Sequence, residues 1–256
     1  MSLKQNDFYN QMYLGNEYAT GIENREETIP LKVFIEQYEL KDKKVLEIGC
    51  GRGAFQNLVE DYTGVDVALS VQKYINKKFV NASLDNLPFE NETFDAIWSI
   101  AALEHVANPE KALKEIARVL KPSGVVYLAP AWHVRSWASE GYHVRPWSNF
   151  GFKGKIIKAS IFFRNLLWYR ALFALPFRSI REIQYCLGSR KPTKFIYKCL
   201  KPNYEKYWCA DSDACNSMDP HEMLLWFKSR GWLLESHKTL LKRFLVRHGA
   251  IIVKKL

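Results

Sequence analysis

Neither cysteine pairing, nor a membrane-spanning run, nor a secretory signal is expected from this sequence. The five cysteines, Cys50, Cys186, Cys199, Cys209 and Cys215, form no C-x-x-C and are odd in number. Neither a disulfide framework nor a Cys-rich zinc site is expected, no metal site is predicted, and a reducing cytoplasm is the natural setting. Residues 1–14 are polar, without an apolar core or small-residue cleavage site, which argues against a signal peptide. The most apolar stretch, 161–177, is interrupted by Arg164, Asn165 and Arg170. A spanning helix needs about 20 largely uncharged residues, so none is expected. Acids are also scarce in one region: residues 145–206 hold 14 Lys and Arg but only Glu182 and Glu205.

What remains is an ordinary globular composition. The 256 residues are 48% hydrophobic and 25% charged, enough for one large domain with a buried core, and they exclude collagen-like and wholly disordered readings. The net charge of +10 is unevenly placed: residues 1–130 carry 14 Lys and Arg against 19 acids, and residues 131–256 carry 23 against 8. The basic half should meet something anionic.

The first half alternates strand and helix. Short apolar runs at 44–48, 62–67, 79–82, 94–100 and 125–129 read as strands, and 54–60, 70–77 and 109–120 as helices. Lys121-Pro122-Ser123-Gly124 should stop the last of these helices. Such alternation predicts a parallel sheet with right-handed crossovers, and ligands bind such sheets at the carboxyl ends of the strands. There lie Glu47-Ile48-Gly49-Cys50-Gly51-Arg52-Gly53 and, 17 residues after Gly49, Asp66. Gly49, Gly51 and Ala54 also satisfy a dinucleotide fingerprint, which alone is a weak signal. Glu47 beside the loop suits a cationic ligand better than a pyrophosphate. Near the end, Asp219-Pro220 reads as a helix start, and 232–236 and 250–254 as two late strands.

V-L-E-I-G-C-G-R-G, followed in order by Phe94-Asp95-Ala96-Ile97, Leu103-Glu104-His105-Val106 and Arg118-Val119-Leu120-Lys121-Pro122, resembles the class I S-adenosylmethionine-dependent methyltransferases over about residues 43–130. The resemblance implies an α/β, Rossmann-like, seven-stranded, mostly parallel sheet with an antiparallel last strand. S-adenosylmethionine would be the cofactor. It further implies that Glu47, Gly49, Cys50, Gly51 and Gly53 line the methionine and ribose portion, that Asp66 and Val67 hold the ribose, that Ser83 and Leu84 flank the adenine, and that Ser99 lies beneath the cofactor. The family often has Asp where Ser83 stands, so the adenine contact departs from its pattern. The expected organisation is a cap segment over 1–42, a cofactor-binding core over 43–130, a substrate-recognition insertion over 131–218 and closing elements over 219–256.

The 88-residue insertion is too long to be a structureless loop. Three readings of its basic, aromatic composition compete: a packed helical subdomain with solvated charges, a surface for an anionic or lipid-linked substrate at the inner face of a membrane, or a nucleic-acid site with cations on phosphates and rings on bases. Lys155, Lys158, Arg164, Arg170, Arg178 and Arg181 spread around most of a helical wheel, an imperfect interfacial pattern.

Methyl transfer needs alignment first and, for a hydroxyl acceptor, a base. Histidine suits that task. His105, after the fourth strand, is the first choice, and His133 and His143 follow. Each also has a purely structural reading. Glu104 could hold His105 or a metal, while Asp211 and Asp213 read more readily as turn residues than as groups that close the pocket or bind substrate hydroxyls. Tyr9, Tyr13 and Tyr18 could close the site from the N-terminal side. The expected activity is methyl transfer to a hydroxyl of a small molecule or saccharide, lipid-linked in one version. An RNA methyltransferase and a non-catalytic cofactor-binding sensor or scaffold are its rivals. Oligomeric state is not legible.

Overall fold

The computed structural model describes residues 3–15, 28–188 and 190–256. Helices α1 (Leu3–Leu14) and α2 (Thr28–Gln37) precede strand β1 (Lys44–Ile48). Then follow β2 (Asp61–Asp66), β3 (Lys78–Asn81), β4 (Phe94–Ile100), α3 (Pro109–Val119) and β5 (Leu120–Ala129). Beyond them come α4 (Phe152–Asn165), α5 (Leu167–Leu187), β6 (Tyr197–Cys199), β7 (Asn216–Met218), α6 (Pro220–Lys228), β8 (Leu233–Leu234), α7 (Leu240–Leu245) and β9 (Ile251–Lys254).

Seven strands form one sheet in the order β3-β2-β1-β4-β5-β9-β8. The pairings among β1 to β5 are parallel, and β9 runs antiparallel to both β5 and β8. The expected architecture is therefore present, with the last strand placed between β5 and β8. Near-continuous apolar strands such as 45–48 are buried because both faces of the sheet are covered. On one face α2 seats Leu31, Phe34 and Ile35, with Phe34 5.3 Å from the Tyr127 ring. On the other lies α3, which buries Ala112, Leu113, Ile116 and Val119 at helical spacing. Its start is set by Asn108, whose side chain accepts from the Lys111 amide, and by Pro109 in the first turn.

Local expectations were overridden in three places. The segments 54–60 and 70–77 form only short 3-10 turns, Gln56–Leu58 and Leu69–Tyr74. The Gln56 amide ties these turns together by donating to the Tyr74 carbonyl and accepting from the Asn76 amide. Lys121 to Gly124 do not lie outside the fifth strand. They sit within it as an irregularity, since Leu120 pairs with Phe94 and Val125 with Ala96. Ser123 takes a positive φ of 62° there. The late strands are shorter than read, with β8 only two residues long.

The long α5 has an inverted polarity. Its four charged residues are Arg170, Arg178, Arg181 and Glu182, and the last three are buried. Arg178 makes a two-pronged contact with Asp219, at 3.0 and 2.7 Å. Arg181 does the same with Glu222, at 2.8 and 3.0 Å. Glu182 meets Lys228, Arg243 and His221. Burial alone would raise the Glu182 pKa, but His221 and the cations hold it down at about 2. Asp219 meanwhile caps α6 through the His221 amide, as its position before Pro220 suggested. Thus Arg178 and Arg181, grouped by sequence with cations that could face an anionic surface, instead fasten α5 to α6 and α7.

Glu222 is 1% exposed, so Arg181→Ala strands a buried carboxylate. Such a loss is worth about 3–5 kcal/mol. Urea unfolding should show a drop of that order, and Arg181→Met with Glu222→Met should recover most of it. An unchanged midpoint for Arg181→Ala would refute the role of this pair.

Candidate active site

The glycine loop begins where β1 ends. The amides of Gly49 and Cys50 both donate to the Val65 carbonyl, at 2.8 and 3.0 Å. Gly49 has φ +74°, and a Cβ there would stand 2.3 Å from Ala102 Cβ, so no other residue fits. Asp66, at the end of β2, accepts from the Gly51 amide through one oxygen and from the Ala68 amide through the other, both at 2.9 Å. After β4, Ala101 adopts φ +48°, a strained conformation for a residue with a Cβ. Parallel register explains the convergence: Glu47 is level with Gly64 of β2 and Trp98 of β4, so the loops that follow emerge at one edge.

That edge bounds a cavity of about 550 Å³ whose lining includes Glu47, Gly49, Cys50, Gly51, His105 and Asp213. A smaller hollow of about 60 Å³ adjoins it and is lined by Asp66, Val67 and Leu84; the two share Tyr9, Tyr13, Gly49, Ala101 and His105. Seven of the ten residues expected at the cofactor thus line one hollow or the other. Gly53, Ser83 and Ser99 line neither. Gly53 packs against Ile75, where a Cβ would come within 2.4 Å of Cδ1. Ser83 donates to Asp85 at 2.6 Å, and Ser99 is 1% exposed within the sheet.

The N-terminal helix roofs this cavity. The Gln5 amide donates to the His105 carbonyl at 2.8 Å, and the Ser70 amide donates to Asn10 at 2.9 Å. Arg52, inside the glycine loop, donates to the carbonyls of Tyr13 and Gly15. Tyr9 and Tyr13 therefore face the space they were expected to close, whereas Tyr18 lies outside the described residues.

Of the three candidate histidines, only His105 reaches the cavity. Its Nδ1 is 3.1 Å from Asp213 Oδ2, and the Tyr9 hydroxyl donates to the same oxygen at 2.7 Å. Glu104, 0% exposed, brings Oε1 within 3.8 Å of His105 Nε2. Burial would lower the His105 pKa, but the Asp213 contact and the charges of Glu104, Asp213 and Asp211 raise it to about 9. Conversely, the His105 contact pulls Asp213 below its ordinary value despite burial. Glu104, His105 and Asp211 each offer an atom within 4.8 Å of the others. His133 instead lines a separate cavity, and burial together with Arg170, Arg178 and Arg135 pushes it down to about 4. His143 is exposed and lines neither cavity.

The sequence favours a turn role for Asp213 over a pocket role, because nothing in A-D-S-D-A shows that it folds back on His105. The insertion is anchored beside it: Asn216 Nδ2 donates to the carbonyls of Leu103 and Val106, both at 2.8 Å, and the Cys215 amide donates to the Glu104 carbonyl at 2.9 Å.

The cavity suits a ligand bearing positive charge. Glu47 is 3% exposed, accepts from the Tyr62 hydroxyl, and is pushed up to about 8, first by burial and also by Asp66. Burial likewise raises Asp66, against the amides of Ala68 and Gly51. Two desolvated carboxyls gain from a cation brought between them. S-adenosylmethionine fits this set: Glu47, Gly49 and Gly51 would take its amino-acid and ribose side, and Asp66, Val67 and Leu84 its ribose and adenine side.

The His105–Asp213 pair has a pH signature. A raised histidine pKa contributes stability that is complete below the ordinary value of 6.5 and vanishes as pH rises through about 9. The lowered Asp213 contributes above its ordinary 3.8 and loses that on acidification. Melting curves of the wild type and Asp213→Asn should differ most between about pH 4 and 6.5, with the gap closing toward pH 9 and beyond. A gap independent of pH would refute the pairing.

Residues 46–128, which run from β1 into β5, match the family described as a methyltransferase domain. An uncharacterised protein of Methanocaldococcus jannaschii is 38% identical over 122 residues, covering 46% of this chain and 52% of its own. Sterol 4-C-methyltransferase strm-1 of Caenorhabditis elegans is 36% identical over 110 residues, 36% of this chain and 33% of that one. Ubiquinone biosynthesis O-methyltransferase of Coxiella burnetii is 29% identical over 114 residues, 40% of this chain and 49% of its own. This chain thus spans about half or less of the length of these relatives, and their names place the methyl on carbon in one case and oxygen in another. The glycine loop, the acidic end of β2 and the sheet order agree with that match, so residues 46–128 are similar to a methyltransferase domain.

Proposed function

We propose that this protein transfers a methyl group from S-adenosylmethionine to a hydroxyl of a small-molecule or saccharide acceptor, in its fullest form one carried on an anionic lipid. The observation that carries this reading is the His105–Asp213 pair facing the same cavity as the glycine loop. A hydroxyl becomes a strong nucleophile only as it loses its proton, whereas a neutral amine attacks with its lone pair and sheds its proton afterwards. Asp213 orients the imidazole and raises its affinity for that proton. Tyr9, donating to the same carboxylate oxygen, fixes the carboxylate in turn.

S-adenosylmethionine supplies an electrophilic methyl on a sulfonium. The chain's own contribution is to bind, align and exclude water. Glu47 and Asp66 would hold the positively charged side, and Tyr9 and Tyr13 shield the cavity from above. His105 loses its proton more readily once a cation shares the cavity, because two positive charges then oppose each other in a poorly screened space. His105 would take the acceptor proton at its imidazole, and Asp213 would stabilise the imidazolium. A cavity of about 550 Å³ is of small-molecule size, and Gln11, Tyr207 and Asp211 give it a polar rim suited to a hydroxylic acceptor.

Transfer from methyl-labelled cofactor to fractionated lysate ranks the acceptors. Label in small-molecule or lipid-saccharide fractions is the expected outcome; label in RNA alone would overturn the acceptor class. No label in any fraction, with cofactor binding intact, would favour a non-catalytic sensor or scaffold. With the acceptor in hand, His105→Gln should lower kcat by roughly 100-fold or more while S-adenosylhomocysteine still binds by calorimetry. Asp213→Asn should move the alkaline-rising limb of the rate profile to lower pH, since Asp213 is one source of the raised His105 pKa. Asp66→Ala should weaken cofactor binding itself. A His105→Gln enzyme of unchanged rate would remove the proposed base.

A further inference from the structure

A second cavity, of about 520 Å³, shares no lining residue with the two hollows at the glycine loop. Five arginines, Arg135, Arg164, Arg170, Arg178 and Arg247, line it, together with His133 and a single acid, Asp219. Asp219 is already committed to Arg178 by its two-pronged contact. The guanidinium groups of Arg135 and Arg164 lie 5.6 and 5.7 Å from the Trp137 ring, and among the described residues these two, Arg170 and Arg247 have no acidic partner. Arg135 is pushed down to about 10, by burial and then by Arg170, while Arg170 is lowered by burial and Arg247. Cations gathered in this way repel one another until an anion joins them.

The walls around these arginines are apolar and open onto the outer surface. Phe173, Phe177 and Leu245 line the cavity and are also 60%, 37% and 57% exposed. From them an apolar face continues along α5 through Trp168, Leu172 and Ile180, and across α7 through Leu241, which is 68% exposed. This is the outward side of the inverted helix, whose charges Arg178, Arg181 and Glu182 are buried. Water-facing helices put charge outside, and an apolar face of this breadth marks a contact with something apolar. The same region, 145–206, has only Glu182 and Glu205 as acids, and Glu182 is buried in its ion pairs. No helix among the described residues is long and apolar enough to cross a membrane.

We propose that the face formed by α5 and α7 docks on an anionic lipid bilayer, with a headgroup phosphate entering the arginine cavity and the exposed rings lying among the acyl chains. Charge complementarity selects this occupant. A protein partner would need acids to match the arginines as well as an apolar patch, whereas an anionic lipid carries phosphate and apolar chain in one molecule. Arg135 and Arg170 supply fork-like donors for phosphate oxygens. The docking residues are separate from the cofactor cavity, so the proposal does not depend on methyl transfer.

Sedimentation of the full chain with vesicles tests this. Binding to phosphatidylcholine vesicles containing phosphatidylglycerol should exceed binding to phosphatidylcholine alone by roughly 10-fold or more and should weaken with salt. Arg170→Gln with Arg247→Gln should remove most of that difference, and Leu172→Ser with Phe173→Ser should reduce binding to both vesicles. All four positions lie outside the cofactor cavity, so unchanged S-adenosylhomocysteine binding by calorimetry certifies the fold of each variant. Quenching of tryptophan fluorescence by bromine-labelled acyl chains should decrease in Trp168→Phe, which places α5 at the chain level. Inorganic phosphate distinguishes the other source of the anion: saturable phosphate binding without vesicle binding would overturn the membrane assignment in favour of a free phosphate site. Equal, negligible pelleting with both vesicles would also overturn it, as would a lipid-independent dimer broken by Leu172→Ser with Phe173→Ser, which would assign the face to a second copy.

Discussion

The carboxylate of Asp66 is the joint on which the cofactor end of the molecule turns. It accepts the amides of Gly51 and Ala68 at once, and so locks the glycine loop after β1 to the chain leaving β2. The loop can take that position only because Gly49 meets Ala102 where a Cβ would overlap, with Ala101 held at positive φ beside it. Three successive strand ends, those of β1, β2 and β4, are thereby fixed against one another. The resulting cavity has acidic groups whose desolvation is relieved by a cationic ligand, so the constraint that shapes the loop also sets the electrostatics of the site.

The insertion completes that site. Asn216 satisfies two carbonyls of the turn after β4, and the Cys215 amide satisfies a third. With this anchor made, Asp213 stands beside His105 and shares an oxygen with Tyr9 from α1. A group from the N-terminal helix, one from the core and one from the insertion thus form a single buried cluster. A histidine that would otherwise be made less basic by burial is made more basic by its neighbours. Buried polar groups coupled in this way are stronger than the same pairs in water, and any member left alone would be correspondingly unfavourable.

Elsewhere the insertion resolves the positive charge of the second half into three populations. Arg178 and Arg181 are structural and paired with Asp219 and Glu222. Arg135, Arg170 and Arg247 face a cavity that offers them no free acid. Lys158 is turned inward onto the carbonyls of Tyr142 and Arg145. Composition could not separate these groups, since all are cations of the basic second half of the chain.

The strand–helix alternation of a parallel sheet and the position of the glycine loop were legible in the sequence because short apolar runs, glycines and caps act locally, whereas the strand order came only from the structure. V-L-E-I before Gly49, Asn108-Pro109 before α3 and Asp219-Pro220 before α6 each carry their own physical instruction. The 3-10 turns at Gln56–Leu58 and Leu69–Tyr74 were not legible, because one glutamine side chain crossing between them overrode helical propensity. The sequence by itself determined which residues could serve a cofactor and which histidines could move a proton. Only the tertiary structure decided that His105 alone of the three histidine candidates reaches the cavity, that Asp213 is its partner, and that α5 turns its charges inward. Those outcomes depend on contacts between residues more than a hundred positions apart in the chain, whose energies no local pattern records.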